Sequence, residues 1–155
     1  MSRRQVLLDS IAATLDDLQR MLRRVDETAG SWRASDQWSI KDVIAHLAAV
    51  EGLWRERWQR IVAEDTPLVQ AFYPGTGEYD EARPLTEILG DFAAQRRETI
   101  ALLQGLSQRD WGRPFVHAES GPSRLRDQVQ AMVTHDNEHL NQIVAIREQL
   151  EKNTI

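Results

Sequence analysis

Along four stretches of the chain apolar residues recur at steps of three and four, and no stretch shows the alternation that marks a half-buried strand. In the first, Leu8, Ile11, Leu15, Leu18, Leu22 and Val25 keep that step, with Asp16, Asp17, Arg20, Arg23 and Arg24 between them. This predicts an amphipathic bundle helix. The second follows Ser35-Asp36-Gln37-Trp38-Ser39, a cluster of N-cap residues, and sets Ile40, Val43, Leu47, Val50, Trp54, Trp58 and Ile61 on one side before ending near Asp65-Thr66-Pro67. The third opens at Pro84 or Thr86 and carries Ile88, Phe92, Ile100 and Leu103 to the vicinity of Gly105. The fourth opens at Ser120-Gly121-Pro122-Ser123 and runs from about Leu125 to Leu150, with Val129, Met132, Ile143 and Ile146 inward.

The pattern predicts an all-α four-helix bundle. Residues 65–84, with Pro67, Pro74, Gly75 and Gly77, form a connection long enough to return along a whole helix. Such a crossover leaves the second and third helices parallel. At 155 residues and 17.8 kDa, residues 1–155 make one domain, burying roughly 70% of the unfolded surface. No internal repeat or low-complexity tract marks a linker.

Composition narrows the function classes. Nineteen Lys and Arg stand against 24 Asp and Glu, interspersed, so no basic stripe offers itself to nucleic acid. No apolar run approaches the ~20 residues of a membrane span, and the start Met1-Ser2-Arg3-Arg4-Gln5 lacks a signal-like apolar segment; a cytoplasmic protein without membrane partners is expected. Cysteine is absent, which excludes disulfides and a cysteine nucleophile, and any thiol chemistry must use a thiol brought by a ligand.

Three of the four histidines lie beside the predicted apolar seams. His135 and His139 are four apart on the fourth helix, where side chains sit one above the other, and His46 flanks the inward face of the second. Two imidazoles from one helix and a third from a neighbour can hold a divalent metal on one face and leave positions open for water or substrate. Helical spacing alone is equally served by a structural His139–Asp136 pair, because each of these residues interrupts an apolar row and a buried polar group needs a partner. His46 tips the balance towards a site. Asp136, Glu51 and Glu138 are the carboxylates available to orient a ligand, Glu138 being better explained as a solvated residue. His117 reads as a surface histidine, Trp54 and Trp58 as core, and Trp32, Trp38 and Trp111 as packing over the bundle ends.

The phrases Trp38-Ser-Ile-Lys-Asp-Val-Ile-Ala-His46-Leu, Gly121-Pro-Ser-Arg-Leu and His135-Asp-Asn-Glu-His139-Leu-Asn-Gln-Ile, with Arg147, resemble the DinB/YfiT-like superfamily. The resemblance implies a four-helix bundle with a long crossover, a divalent metal held by His46, His135 and His139, and a homodimer. Its members include transferases and isomerases that use low-molecular-weight thiols, and proteins that act on toxic small molecules. The fold limits function only loosely. The expectation is a thiol-dependent transferase or metal-assisted hydrolase acting on a small electrophilic substrate, with zinc or nickel, or else iron, as the ion. In this reading a thiol is the cosubstrate and Asp136 orients a ligand or accepts a proton. The alternative is a non-catalytic binding protein that sequesters a damaging compound. Two further expectations concern surfaces. Tyr73 and Tyr79 make the 65–84 loop a cover for substrate, and Val133, Leu140 and Val144 widen the apolar face of the fourth helix towards a second copy.

Overall fold

Ser39 accepts a hydrogen bond from the Asp42 amide at 3.0 Å while the Asp42 carboxylate accepts one from the Ser39 amide at 2.8 Å, and this reciprocal cap starts the helix that carries His46. In the computed structural model, which describes residues 1–154, that helix is α3 (Ile40–Ala63). The other long helices are α1 (Arg3–Leu22), α4 (Leu85–Gly105) and α6 (Leu125–Asn153). All four begin within a few residues of the positions expected from the apolar period. The connections hold two short helices, α2 (Glu27–Ser31) and α5 (Gln108–Trp111), and three short strands, β1 (Leu68–Val69), β2 (Pro114–His117) and β3 (Gly121–Arg124).

Contacts between helices define their directions. On α3 and α4, Glu51 meets Arg96 and Arg55 meets Thr99, so the numbers rise together and the two helices are parallel. The crossover is real. On α1 and α6, Thr14 meets Asp136 and Arg147 reaches the Met21 carbonyl, so these are parallel too. Arg4 against Gln104 and Ile11 against Arg96 make α1 antiparallel to α4, as His46 against His139 and Arg57 against Gln128 make α3 antiparallel to α6.

The core is split by a polar layer to which each long helix contributes. Arg96 of α4 is buried and donates to both Asp136 oxygens at 2.7 and 2.8 Å, to Glu51 and to the Ile11 carbonyl, while Thr14 and Thr99 donate to the two carboxylates. Burial alone lowers the pKa of the guanidinium. The Asp136 hydrogen bonds and the charges of Glu51 and Asp136 outweigh that and hold its pKa above the ordinary arginine value. On one side lie Leu7, Ile11, Trp54, Trp58, Leu125 and Met132; on the other, Leu18, Ile44, Leu47, Phe92 and Ile143.

The connections also hold a small three-stranded sheet that the apolar period did not indicate. β2 pairs with β1 in parallel and with β3 antiparallel, so Gly121–Arg124 form a strand before α6 instead of a helix start. Pro122 is accommodated because β3 is an edge strand. Residues 65–84 are likewise not a free lid. β1 ties them to β2, Phe72 meets Trp54 edge-on at 5.3 Å, the Tyr79 hydroxyl donates to Asp42, and Lys41 donates to the Glu81 carbonyl at 3.1 Å. The segment is a strap laid across α3. Val133 and Leu140 of α6 pack against the two core clusters, leaving Val144, at 44% exposure, as the outward residue of that expected dimer face.

Candidate metal centre

Three imidazole nitrogens converge where α3 and α6 cross. His135 Nε2 lies 3.1 Å from His46 Nε2 and 3.1 Å from His139 Nε2, and the nearest ring nitrogens of all three lie within 4.8 Å of one another. The antiparallel packing brings residue 46 to the level of residues 135–139, and the single turn between His135 and His139 stacks their rings.

The outer nitrogens decide what the inner ones can do. His46 Nδ1 meets the Gly75 carbonyl oxygen, and His139 Nδ1 meets Gln142 Oε1 at 2.8 Å. A carbonyl oxygen only accepts, so each Nδ1 carries the proton and each Nε2 presents a lone pair. His135 can supply at most one proton between two such lone pairs. A cation at the convergence satisfies all three. The two distances to His135 agree with this: metal–nitrogen bonds of ~2.1 Å separated by right to tetrahedral angles put the nitrogens roughly 3.0–3.4 Å apart. Burial, reinforced by its two histidine neighbours, pushes the His135 pKa down to about 4, and burial also lowers that of His46. Both therefore favour the neutral form that a metal requires.

Gly75 owes its position to its backbone. It sits at φ +61° in a turn closed by the Gly77 amide and the Pro74 carbonyl at 3.2 Å, a conformation that favours glycine, and this turn delivers the carbonyl to His46. The indole of Trp38 stacks on His139, with interplanar angle 7° and centroids 6.3 Å apart, and lies 5.1 Å from His46. Trp54 stands 6.4 Å from His135 on the other side.

A cleft of about 300 Å³ opens beside the cluster. His46, Val50, Trp54 and Arg57 form its α3 wall, residues 71–74 of the strap a second wall, and His117 and Glu119 its rim, with His135 facing them. His117 Nδ1 accepts from the Glu119 and Ser120 amides at 3.1 and 3.3 Å, so the neutral ring carries its proton on Nε2.

The fate of the sequence-predicted residues is mixed. His46, His135 and His139 come together. Asp136 turns away: Arg96 and Thr14 occupy its oxygens, and it stands in the buried polar layer instead of supporting a ligand or accepting a proton. Glu51 is held there as well, paired with the same buried guanidinium that binds Asp136. The orienting acceptors are Gly75 and Gln142. Glu138 is solvent-exposed. His117 lines the cleft, which its loop position did not indicate. Tyr73 lies on the strap side of the cleft, whereas Tyr79 is anchored to Asp42 and covers nothing there. Trp38 packs against the second apolar cluster and also walls the histidines. Arg57 was missed; its signal was an arginine in phase with His46, Val50 and Trp54. No helix among the described residues is long and apolar enough to cross a membrane.

Comparison with known proteins agrees with this architecture. A candidate metal-dependent hydrolase of Oceanobacillus iheyensis is 24% identical over 148 residues, spanning 91% of this chain and 86% of its own length. The solved structure of YfiT from Bacillus subtilis, described as a probable metal-dependent hydrolase with an unusual four-helix bundle topology, superposes with a TM-score of 0.81 at 16% identity, covering 97% of this chain and 90% of that one. The model of the DinB superfamily matches residues 10–143, nearly the full bundle, and the chain belongs to that superfamily.

Proposed function

We propose that the chain is a divalent-metal-dependent enzyme that cleaves or transfers a group of a small electrophilic molecule, with His46, His135 and His139 as the metal ligands. The observation that carries this reading is the convergence of three Nε2 atoms, two of them fixed as lone-pair donors by the Gly75 and Gln142 oxygens. A zinc, nickel or iron ion held by three imidazoles supplies Lewis acidity and lowers the pKa of a coordinated water or thiol. The names of the two similar proteins favour water; the superfamily resemblance also admits a low-molecular-weight thiol.

The chain's own contribution is positional. Gly75 and Gln142 fix ring tautomer and orientation, which raises ligand basicity. Trp38 and Trp54 exclude water from two sides of the cluster, and the walls of the cleft admit a molecule of modest size. His117, with Nε2 protonated in the neutral ring, stands on the rim as a donor for an oxygen on the substrate.

The test is an assay of tag-free, metal-loaded protein against a panel of esters, amides and halogenated electrophiles, with and without cellular thiols. Metal-dependent turnover of many equivalents, lost in His135→Ala, is expected; the thiol-free arm identifies hydrolysis and the thiol arm transfer. Binding of one equivalent without turnover would replace this reading with sequestration.

A further inference from the structure

We infer that Arg57 is the specificity-determining residue of the cleft and that the substrate carries an anionic group, a carboxylate or a phosphate, which pairs with its guanidinium. The inference rests on the reading of this cleft as a substrate site. It starts from a charge imbalance. Arg57 is only 8% exposed, yet its two identified hydrogen bonds go to uncharged acceptors, Gln128 Oε1 at 3.1 Å and the Gln70 carbonyl. The guanidinium lies over Phe72 at 4.2 Å and towards Trp54 at 5.9 Å.

No carboxylate among the described residues forms a salt bridge with it, although the other deeply buried arginine, Arg96, has two. Burial lowers the Arg57 pKa, and the charged neighbour that acts on it is another cation, Arg60. The one acidic residue lining the cleft, Glu119, accepts from the Tyr73 hydroxyl at 3.1 Å. A buried cation without a counter-charge costs free energy that neutral acceptors and aromatic faces offset only in part. An anion in the cleft would supply the missing charge, and a guanidinium fork matches carboxylate and phosphate oxygens.

Position sets the size of that substrate. Gln128, which marks the level of the guanidinium, and His135 stand two turns apart on α6, ~10 Å along the axis. The anionic end is therefore held about that far from the reacting bond. A short molecule with a charged tail fits, and a bare inorganic anion fills only the Arg57 end.

The experiment follows the indole N–H resonance of Trp54 in the full chain, assigned with Trp54→Phe, during titration with suberate, its neutral diamide and inorganic phosphate. It is run on both metal-loaded and chelated protein. Suberate should shift the resonance with an affinity at least tenfold above the diamide in both forms; tighter binding of phosphate than of suberate would assign a phosphate tail, the reverse a carboxylate. Arg57→Gln should weaken anion binding at least tenfold, and Arg57→Lys, which keeps charge without the fork, by less. Equal binding of suberate and diamide by the wild-type chain overturns the inference and needs no variant to fold; so does full anion affinity in folded Arg57→Gln. If chelated protein binds suberate through Arg57 while His139→Ala retains full metal content, the metal reading fails and this one stands.

Discussion

A histidine becomes a ligand through its second nitrogen. Gly75 and Gln142 hold His46 and His139 with their Nε2 lone pairs inward, and burial keeps His46 and His135 neutral. The pH dependence follows. An unfolded histidine titrates near ~6.5, whereas folded His135 titrates at about 4 and His46 below its ordinary value. Between those values the unfolded chain binds more protons, so stability rises with pH. Chelated protein should keep its stability above about pH 6.5 and lose it as pH falls towards 4; urea melts across that range would show it, and a flat profile would contradict it. Gln142→Leu should leave the fold intact and weaken metal binding about 10–100-fold, measured by competition with a chromophoric chelator. At this scale the three histidines were legible because they lie beside the apolar seams of two strongly periodic helices. The place of Asp136 was not, since its partner Arg96 lies forty residues away and nothing local pairs them.

The strap and the crossed helices α3 and α6 make the site at the level of elements. Gly75→Ala meets no neighbouring atom, so its cost is conformational, about 1–2 kcal/mol for φ +61°. Because the same turn orients His46, metal affinity should fall with stability, and a stability loss without an affinity loss would show that the Gly75 carbonyl is incidental. The polar layer offers a second test. Arg96→Met leaves two buried carboxylates without their cation, and a loss of about 3–5 kcal/mol is expected in denaturant titration; a neutral result would mean that water enters the layer. The four long helices were readable from apolar period alone, whereas the length of residues 65–84 permitted a parallel crossover without requiring it; the Glu51–Arg96 and Arg55–Thr99 contacts establish it. Strands of two to four residues carry too few positions for a period, and β1 pairs with β2 across the whole of α4, so the sheet was invisible locally. The same sheet turns the expected lid into a fixed wall.

For the molecule as a whole, the two apolar clusters and the ion network do not depend on a metal, unlike small domains that fold only around zinc. Chelation should therefore preserve helical circular dichroism while lowering the melting temperature through lost ligand linkage; collapse of the helical signal would make the centre structural. The homodimer we propose rests on the superfamily resemblance and on exposed Val144, and light scattering at the mass of one chain, 17.8 kDa, would argue against it. The central claim, that these three imidazoles hold one ion, is tested by elemental analysis of protein purified without a histidine tag. Wild type and His117→Ala should each carry one divalent transition-metal ion per chain, while His46→Ala, His135→Ala and His139→Ala carry far less. Full stoichiometry in His139→Ala would contradict the account.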